Sequence, residues 1–371
     1  DALDQAIDLA DRYIYGKALP SKTIDLLTEA AYSIGNQKDR VIRGEDIVNL
    51  MTRKTKIPLG QIENSEKEKL LKLEELIHKR LVNQEEAVEA VSSAMRRSRL
   101  DTKRRKKPIA NFLFVGPTGV GKTELSKTLA EVYFGDERKM IRLDMSEYQE
   151  KRGLRRLIGL RGETGVNKGY LTEAVKRNPY SLILLDEIEK AHPDILNLFL
   201  QVMDDGRLTD ASGETINFNH VILIATSNAG TQIIQDRIAK GVVYQGIEKE
   251  LKEKILPEYF KPEFLNRFDK IVLFKPLTED NMIKITYLFL NMIKKGMDNK
   301  GVIFKVEKEA VEELAKAGYN PMYGARSLNR VIQEKVEDNL ARLFLENKVS
   351  RRDTIILKKG MILEVKKAEE I

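Results

Sequence analysis

The amino-acid sequence predicts an α/β protein, a three-layer αβα domain on a parallel sheet, with helices before it and a mainly helical unit after it. Three observations predict this. Five short apolar runs, Asn111–Val115, Met140–Asp144, Ser181–Asp186, Val221–Thr226 and Lys270–Phe274, have the composition of strands buried on both faces. Helical stretches separate most of them, the order of a doubly wound sheet. Finally, Gly116-Pro117-Thr118-Gly119-Val120-Gly121-Lys122-Thr123 joins the first run to a good helix former, Glu124–Ala130, giving a glycine-rich phosphate loop in strand–turn–helix order.

Composition sets the bounds. A chain of 371 residues exceeds one average domain. It contains no cysteine, which excludes disulfide frameworks, thiolate zinc sites and cysteine nucleophiles. Its three histidines, His78, His192 and His220, are too scattered to suggest a metal cluster. No apolar run approaches the ~18 residues of a membrane span, and Asp1-Ala2-Leu3-Asp4 lacks the basic and apolar regions of a signal peptide. The chain also lacks a start methionine, so the expectation is a piece of a longer, cytoplasmic protein. Much of the +7 net charge lies in Arg96, Arg97, Arg99 and Lys103–Lys107. Without interleaved aromatics for base stacking, this run reads as a solvated helix end and linker, and nucleic acid is not an expected partner.

The helical segments follow from periodicity. Ala6, Ile7, Leu9 and Ala10, then Ile24, Leu26, Leu27 and Ala30, recur at helical spacing. Pro20 suits the first turn of the second helix and Gly35-Asn36 its end. A further short helix runs through Leu50, and a connector holds Pro58 and Gly60. Ser65-Glu66-Lys67-Glu68 resembles a capping-box start for a helix through Leu70, Leu73, Leu76 and Ile77. The next, from about Gln84, puts Ala87, Val88, Val91 and Met95 on one face. After Pro276 helices are expected around Ile283–Met292, Lys308–Ala317 and Ser327–Glu346. The chain closes with a short hairpin of Thr354–Leu357 and Met361–Val365, joined through Gly360.

The loop carries chemistry. Its glycines let successive N–H groups point at one anion, and the helix N-terminus adds partial positive charge. Lys122 would reach the β- and γ-phosphates, and the Thr123 hydroxyl would ligate Mg²⁺. Ser181–Asp186 ends in the pair Asp186-Glu187. An acid at a strand's carboxyl end can hold Mg²⁺ through water, and Glu187 could polarise the water that attacks the γ-phosphate. Val221–Thr226 leads into Ser227-Asn228, where Asn228 could place that water or sense the γ-phosphate. Taken alone, Asn228 reads equally well as a turn residue.

With these residues in hand the chain resembles the Clp family of AAA+ protein unfoldases and disaggregases, specifically its carboxyl-terminal ATPase module. The matching strings, in family order, are Gly116–Glu124, Asp144–Tyr148, Pro179–Asp194, Leu200–Asp210, Thr226–Asn228, Pro262–Asp269 and Tyr323–Arg326. The resemblance covers essentially residues 75–370. It implies an AAA+ domain over 58–275 and a small helical lid over 276–371, with 1–57 a helical lid remnant of a preceding ATPase module. It implies that Arg267 is an arginine finger acting on the neighbouring subunit's nucleotide, and that Arg326 is a lid arginine acting in its own subunit. On spacing alone, either reads as a surface or ion-pair arginine. A finger in trans requires a ring, by family analogy a homo-hexamer.

Three departures qualify the likeness. The family's peptide-gripping pore loop corresponds to Gly159–Tyr170, where aligning glycines puts Gly162, Glu163, Thr164 and Gly165 at its tip and Glu163 at the main aromatic position. An acid cannot supply a ring's apolar contact area, although the glycines still predict a mobile loop. The adenine-pocket sequence reads Val82-Asn83-Gln84, where Asn tolerates the same left-handed turn. The loop Thr231–Gly246 lacks the Ile/Leu-Gly-Leu/Phe peptidase-docking tripeptide, so a ring-peptidase partner is not supported. The expected function is ATP-driven, Mg²⁺-dependent remodelling or unfolding of polypeptide substrates. The alternatives are an ATPase ring that scaffolds a partner without threading, and a nucleic-acid remodeller.

Overall fold

The computed structural model describes residues 1–14, 18–34, 41–55, 68–100, 107–162, 165–320 and 323–368. The connector at Pro58 and Gly60, the helix stop at Gly35-Asn36, the capping box at Ser65–Lys67 and most of the Lys103–Lys107 run lie outside them.

Helices α1 (Ala2–Tyr13), α2 (Ser21–Ile34) and α3 (Gly44–Thr55) bury Ala6, Ala10, Leu26, Ala30, Ile47, Leu50 and Met51 in a core of their own. Then come α4 (Leu73–His78) and α5 (Glu85–Leu100), whose Ala87, Val88, Val91 and Met95 are buried as their spacing predicts.

Strands β1 (Ala110–Val115), β2 (Met140–Asp144), β5 (Ser181–Asp186), β8 (Val221–Ser227) and β9 (Lys270–Leu273) form one parallel sheet in the order β2-β5-β8-β1-β9. Side chains alternate across a strand, so each strand feeds two cores. Phe112, Phe114, Leu182, Leu184, Ile222 and Ile224 face one, and Leu113, Val115, Ile183, Leu185, Leu223 and Ala225 face the other. Burying each of the larger side chains among these contributes about 1.5–3 kcal/mol, which is why these strands read as unbroken apolar runs. The flanking layers include α6 (Lys122–Phe134), α7 (Arg152–Ile158), α8 (Tyr170–Arg177) and α9 (Pro193–Asp205). The last of these starts where the His192 side chain accepts from Asp194 N–H at 3.2 Å, with Pro193 in its first turn.

Two short hairpins leave no clear signal in the sequence. β6 (Arg207–Thr209) pairs with β7 (Thr215–Asn217), and β3 (Gly159–Gly162) with β4 (Gly165–Lys168). In the second, Gly162 and Gly165, expected at the tip of a glycine-containing loop, form the last pair of an antiparallel ladder. Glu163 and Thr164 lie outside the described residues.

Beyond β9, α13 (Glu279–Asn299) begins with a capping box between Thr278 and Asn281. It packs with α14 (Lys308–Gly318) and α15 (Ala325–Ile332), and α16 (Asp338–Leu345) follows; α10 (Thr231–Ala239), α11 (Tyr244–Glu250) and α12 (Pro262–Leu265) precede it in the sheet domain. The terminal hairpin, β11 (Thr354–Lys358) with β12 (Ile362–Lys366), is joined in parallel by an unforeseen strand, β10 (Ile303–Val306). The signal is present but short: Phe304 is buried between exposed Ile303 and Lys305.

Candidate nucleotide site

The carboxyl ends of β1, β5 and β8 are neighbours in the sheet, so the segments leaving these three strands converge. Gly116–Thr123 leaves β1 and enters α6, whose N-cap is Gly121. Lys122, buried, folds its Nζ against Asn228 Oδ1 at 2.8 Å and Pro117 O at 3.0 Å, and also donates to Gly116 O. Thr118 Oγ1 donates to the same Asn228 oxygen at 3.4 Å. Burial pushes the Lys122 ammonium down to about 8, opposed by the nearby carboxylates of Glu189 and Asp186.

Asp186 ends β5 and is itself nearly buried. Thr226 Oγ1, from β8, donates to one carboxylate oxygen, and Arg142 Nη2, from β2, donates to the other at 2.6 Å. Glu187 adopts left-handed backbone angles, φ 58° and ψ 50°, which is uncommon for a non-glycine residue and concentrates at functional sites. Thr226 Oγ1 accepts the Glu187 N–H at 3.1 Å, and the Glu187 carboxylate pairs with Lys190 at 2.5 Å. A residue with no distinguishing mark in the sequence joins this group: Glu189 Oε1 accepts the Asn228 N–H at 3.0 Å.

The lid reaches the loop through backbone. Ala325 N–H donates to Gly119 O at 3.0 Å. The approach needs glycine on both sides. A Cβ on Gly119 (φ 74°) would sit 2.1 Å from Tyr323 O, and one on Gly324 (φ 52°) would sit 2.7 Å from Gly119 O. Arg326 follows at once, exposed, close enough for its charge to act on Lys122.

On the other side, Asn83 and Gln84 have φ of 63° and 69°, so Asn83 does take the left-handed turn. Gln84, buried, clamps three elements: its Nε2 donates to Lys275 O at 2.8 Å and Val120 O at 3.3 Å, and its Oε1 accepts Lys275 N–H at 2.9 Å. Val82 beside it packs on the core.

Arg267 is elsewhere. Its carbonyl accepts from Asn111 Nδ2 at 3.4 Å, at the opposite end of β1 from Gly116, and its guanidinium pairs with Asp204 at 2.7 Å. At about 3.3 Å per strand residue, the two ends lie roughly 16 Å apart. The β3–β4 hairpin is also separate; beside it opens a cleft of about 840 Å³ lined by Arg142, Tyr148, Arg155, Arg156, Leu160 and Tyr170. Of the basic run, Arg96 pairs with Glu74 at 2.8 Å and Lys107 lies 3.9 Å from Asp204.

The donor set suits a polyanion with a hard cation. Ammonium and guanidinium groups face the loop, while a hydroxyl and two carboxylates offer oxygen. Among the described residues no group of three or more His, Cys, Asp or Glu could hold a metal ion alone. Mg²⁺ ordinarily binds through one or two protein oxygens plus phosphate and water, so this donor set fits it. No helix among the described residues is long and apolar enough to cross a membrane.

Comparison with known proteins places these features. Residues 107–271 match the family described as AAA domain (Cdc48 subfamily), residues 277–357 the C-terminal, D2-small domain of ClpB protein, and residues 1–104 an AAA lid domain. The chaperone protein ClpB of Vibrio vulnificus is 46% identical over 88% of this chain and 38% of its own length. The ATP-dependent Clp protease ATP-binding subunit ClpE of Bacillus subtilis is 40% identical over 94% of this chain and 57% of its own. The S. cerevisiae Hsp104–casein complex in its extended conformation superposes with a TM-score of 0.85 at 36% identity, over 99% of this chain and 64% of that one. The chain thus spans less than two thirds of the length of each of these relatives.

Proposed function

The chain belongs to the Clp family of AAA+ ATPases, and from that premise we propose that it hydrolyses ATP, with Mg²⁺, in a homo-hexameric ring that unfolds or remodels polypeptides in the cytoplasm. One observation carries the reading: phosphate loop, acidic strand end, polar strand end and lid meet at Lys122, held 2.8 Å from Asn228 Oδ1. In the proposed arrangement residues 1–57 are the lid remnant of a preceding module, 58–275 the large ATPase domain and 276–371 its lid.

The roles follow from charge and position. Backbone amides of Gly116–Thr123 cradle the phosphates, with Lys122 at the β- and γ-groups, and Val82 lines the adenine side. Thr123 Oγ1 and, through water, Asp186 would hold Mg²⁺, which would supply charge neutralisation at the phosphates. Glu187, released from Lys190, takes the proton of the attacking water as the bond to the γ-phosphorus forms, and ADP leaves as phosphate separates. Asn228 orients that water. Arg326 from the same subunit and Arg267 from the next meet the spreading negative charge, which planar guanidinium groups match. The placement of Arg267 far from its own loop supports action across a subunit boundary.

The test is an unfolding assay on a stable, tagged protein with the full-length chain and ATP, alongside phosphate release. Glu187→Gln should bind ATP yet lose nearly all turnover and all unfolding. Normal turnover in that variant would remove Glu187 from its role. A scaffold ring remains a second reading because Glu163 replaces the pore loop's usual aromatic. Hydrolysis without unfolding by the unaltered chain, with unfolding gained in Glu163→Tyr, would favour it.

A further inference from the structure

Asn228 is held by its backbone as well as by its side chain. The Asn228 N–H donates to Glu189 Oε1 at 3.0 Å, and the second carboxylate oxygen, Glu189 Oε2, is buried with no hydrogen-bond partner. Glu189 belongs to the short turn Ile188–Lys190 that directly follows Asp186-Glu187, and Lys190 N–H is closed onto Glu187 O at 2.9 Å. The turn carrying the water-activating acid and the strand end carrying the water-orienting amide are therefore joined by one carboxylate. Glu189 is only partly buried, but a buried carboxylate oxygen without a partner is costly unless its site supplies compensation. Here one oxygen is paired with an amide and Lys122, buried beside it, lends opposite charge. Surface solubility cannot account for such a group.

We propose that Glu189 is a positioning residue for hydrolysis: it fixes the Asn228 backbone so that the amide side chain meets Lys122 and the reacting water in register with Glu187. This rests on the ATPase reading above. In this assignment Glu189 acts through Asn228 and not by contact with the reacting atoms. Its removal therefore lowers the rate of the chemical step and leaves nucleotide binding, which depends on Lys122 and the loop amides, largely intact.

The experiment measures kcat and KM for ATP, and Kd for a fluorescent ATP analogue, in the full-length chain and four variants: Glu189→Met, Glu189→Gln, Asn228→Ala and Glu189→Met with Asn228→Ala. Met keeps the volume but cannot accept the Asn228 N–H; Gln keeps a carbonyl acceptor. The expected result is a kcat loss of about tenfold or more in Glu189→Met with Kd changed less than about threefold, and recovery to within about threefold of wild type in Glu189→Gln. The double variant should be no slower than Asn228→Ala alone, because both changes break one linkage. Multiplicative losses, or a wild-type kcat in Glu189→Met, would overturn the assignment. Should Glu189→Met fail to fold, Glu189→Gln decides: activity near wild type supports the acceptor role and a tenfold loss overturns it. An unaltered chain with no ATP hydrolysis overturns the parent reading and this one together. An active wild type matched by Glu189→Met overturns this one alone.

Discussion

At the scale of single residues the site is governed by how much it costs to bury a charge. Lys122 is 8% exposed, and its ammonium is pushed down to about 8 by burial. Between about pH 8 and the unfolded value of 10.5 the unfolded chain binds the extra proton, so stability rises with pH across that window. Below pH 8 the whole cost of holding the buried ammonium is present. Lys122→Met abolishes that dependence. Without nucleotide, the wild-type unfolding free energy, read from denaturant melts, should gain on the variant's from pH 8 to 10.5, by an amount on the order of 3 kcal/mol. A constant gap between the two melting curves would show that Lys122 is not held in this way. The same variant should lose ATP affinity by at least about a hundredfold at pH 7, measured by calorimetry.

At the scale of elements two docking contacts matter. The turn before α15 lies on the phosphate loop through Ala325 N–H and Gly119 O, and Gly324 has the positive φ that lets it do so. Gly324→Ala places a methyl 2.7 Å from Gly119 O. With strain of about 1–3 kcal/mol, this should weaken ATP binding roughly tenfold or more while leaving the rest of the lid folded; unchanged affinity would mean the lid does not close the site. The other contact joins α1 to the sheet domain, where Tyr13 stacks on His220 with ring centroids 4.8 Å apart. His220 is held down to about 4 by burial. The unfolded chain takes up the proton first, so stability present above pH 6.5 is lost as pH falls towards 4. His220→Phe keeps the stack and removes the titration. It should spare about 2 kcal/mol of the acid loss, read from urea melts at pH 7 and pH 4.5; parallel losses in both proteins would count against it.

At the scale of the whole molecule the question is what one chain lacks. Arg267 pairs with Asp204 at the far end of β1 and is separated from its own Lys122 by the length of the strand. If it serves a neighbour, Arg267→Ala should keep ATP affinity and lose hydrolysis by about 10³-fold or more. Rings mixed from Arg267→Ala and Glu187→Gln subunits should regain part of it, since a boundary with an intact acid on one side and an intact arginine on the other is complete. Mixtures as inactive as either parent would mean the site is not shared. The β3–β4 hairpin, with Leu160, Asn167 and Lys168 exposed, is the other whole-molecule matter: in the proposed ring, what this hairpin contacts would depend on the neighbouring subunits.

How much of this is legible in the sequence depends on range. Gly116–Thr123, the strand ending in Asp186-Glu187 and the sheet itself are local patterns, set by the backbone freedom of glycine and by apolar runs buried on both faces, and those needs are written in consecutive residues. The turn at Val82–Gln84 is legible too, but the clamp made by Gln84 onto Val120 and Lys275 spans 191 residues and leaves no periodic mark. β10 is hard to see because it is short and its partner, β11, lies about fifty residues on. Glu189 is one acid among several in its motif until β8 is laid beside β5, bringing the Asn228 N–H to its carboxylate. The chain order alone determined that a phosphate loop with a strand-end acid pair exists here. Only the tertiary structure decided which groups hold that site and that Arg267 stands apart from it, because hydrogen bonds and charge pairs act over distances in space, whatever the separation along the chain.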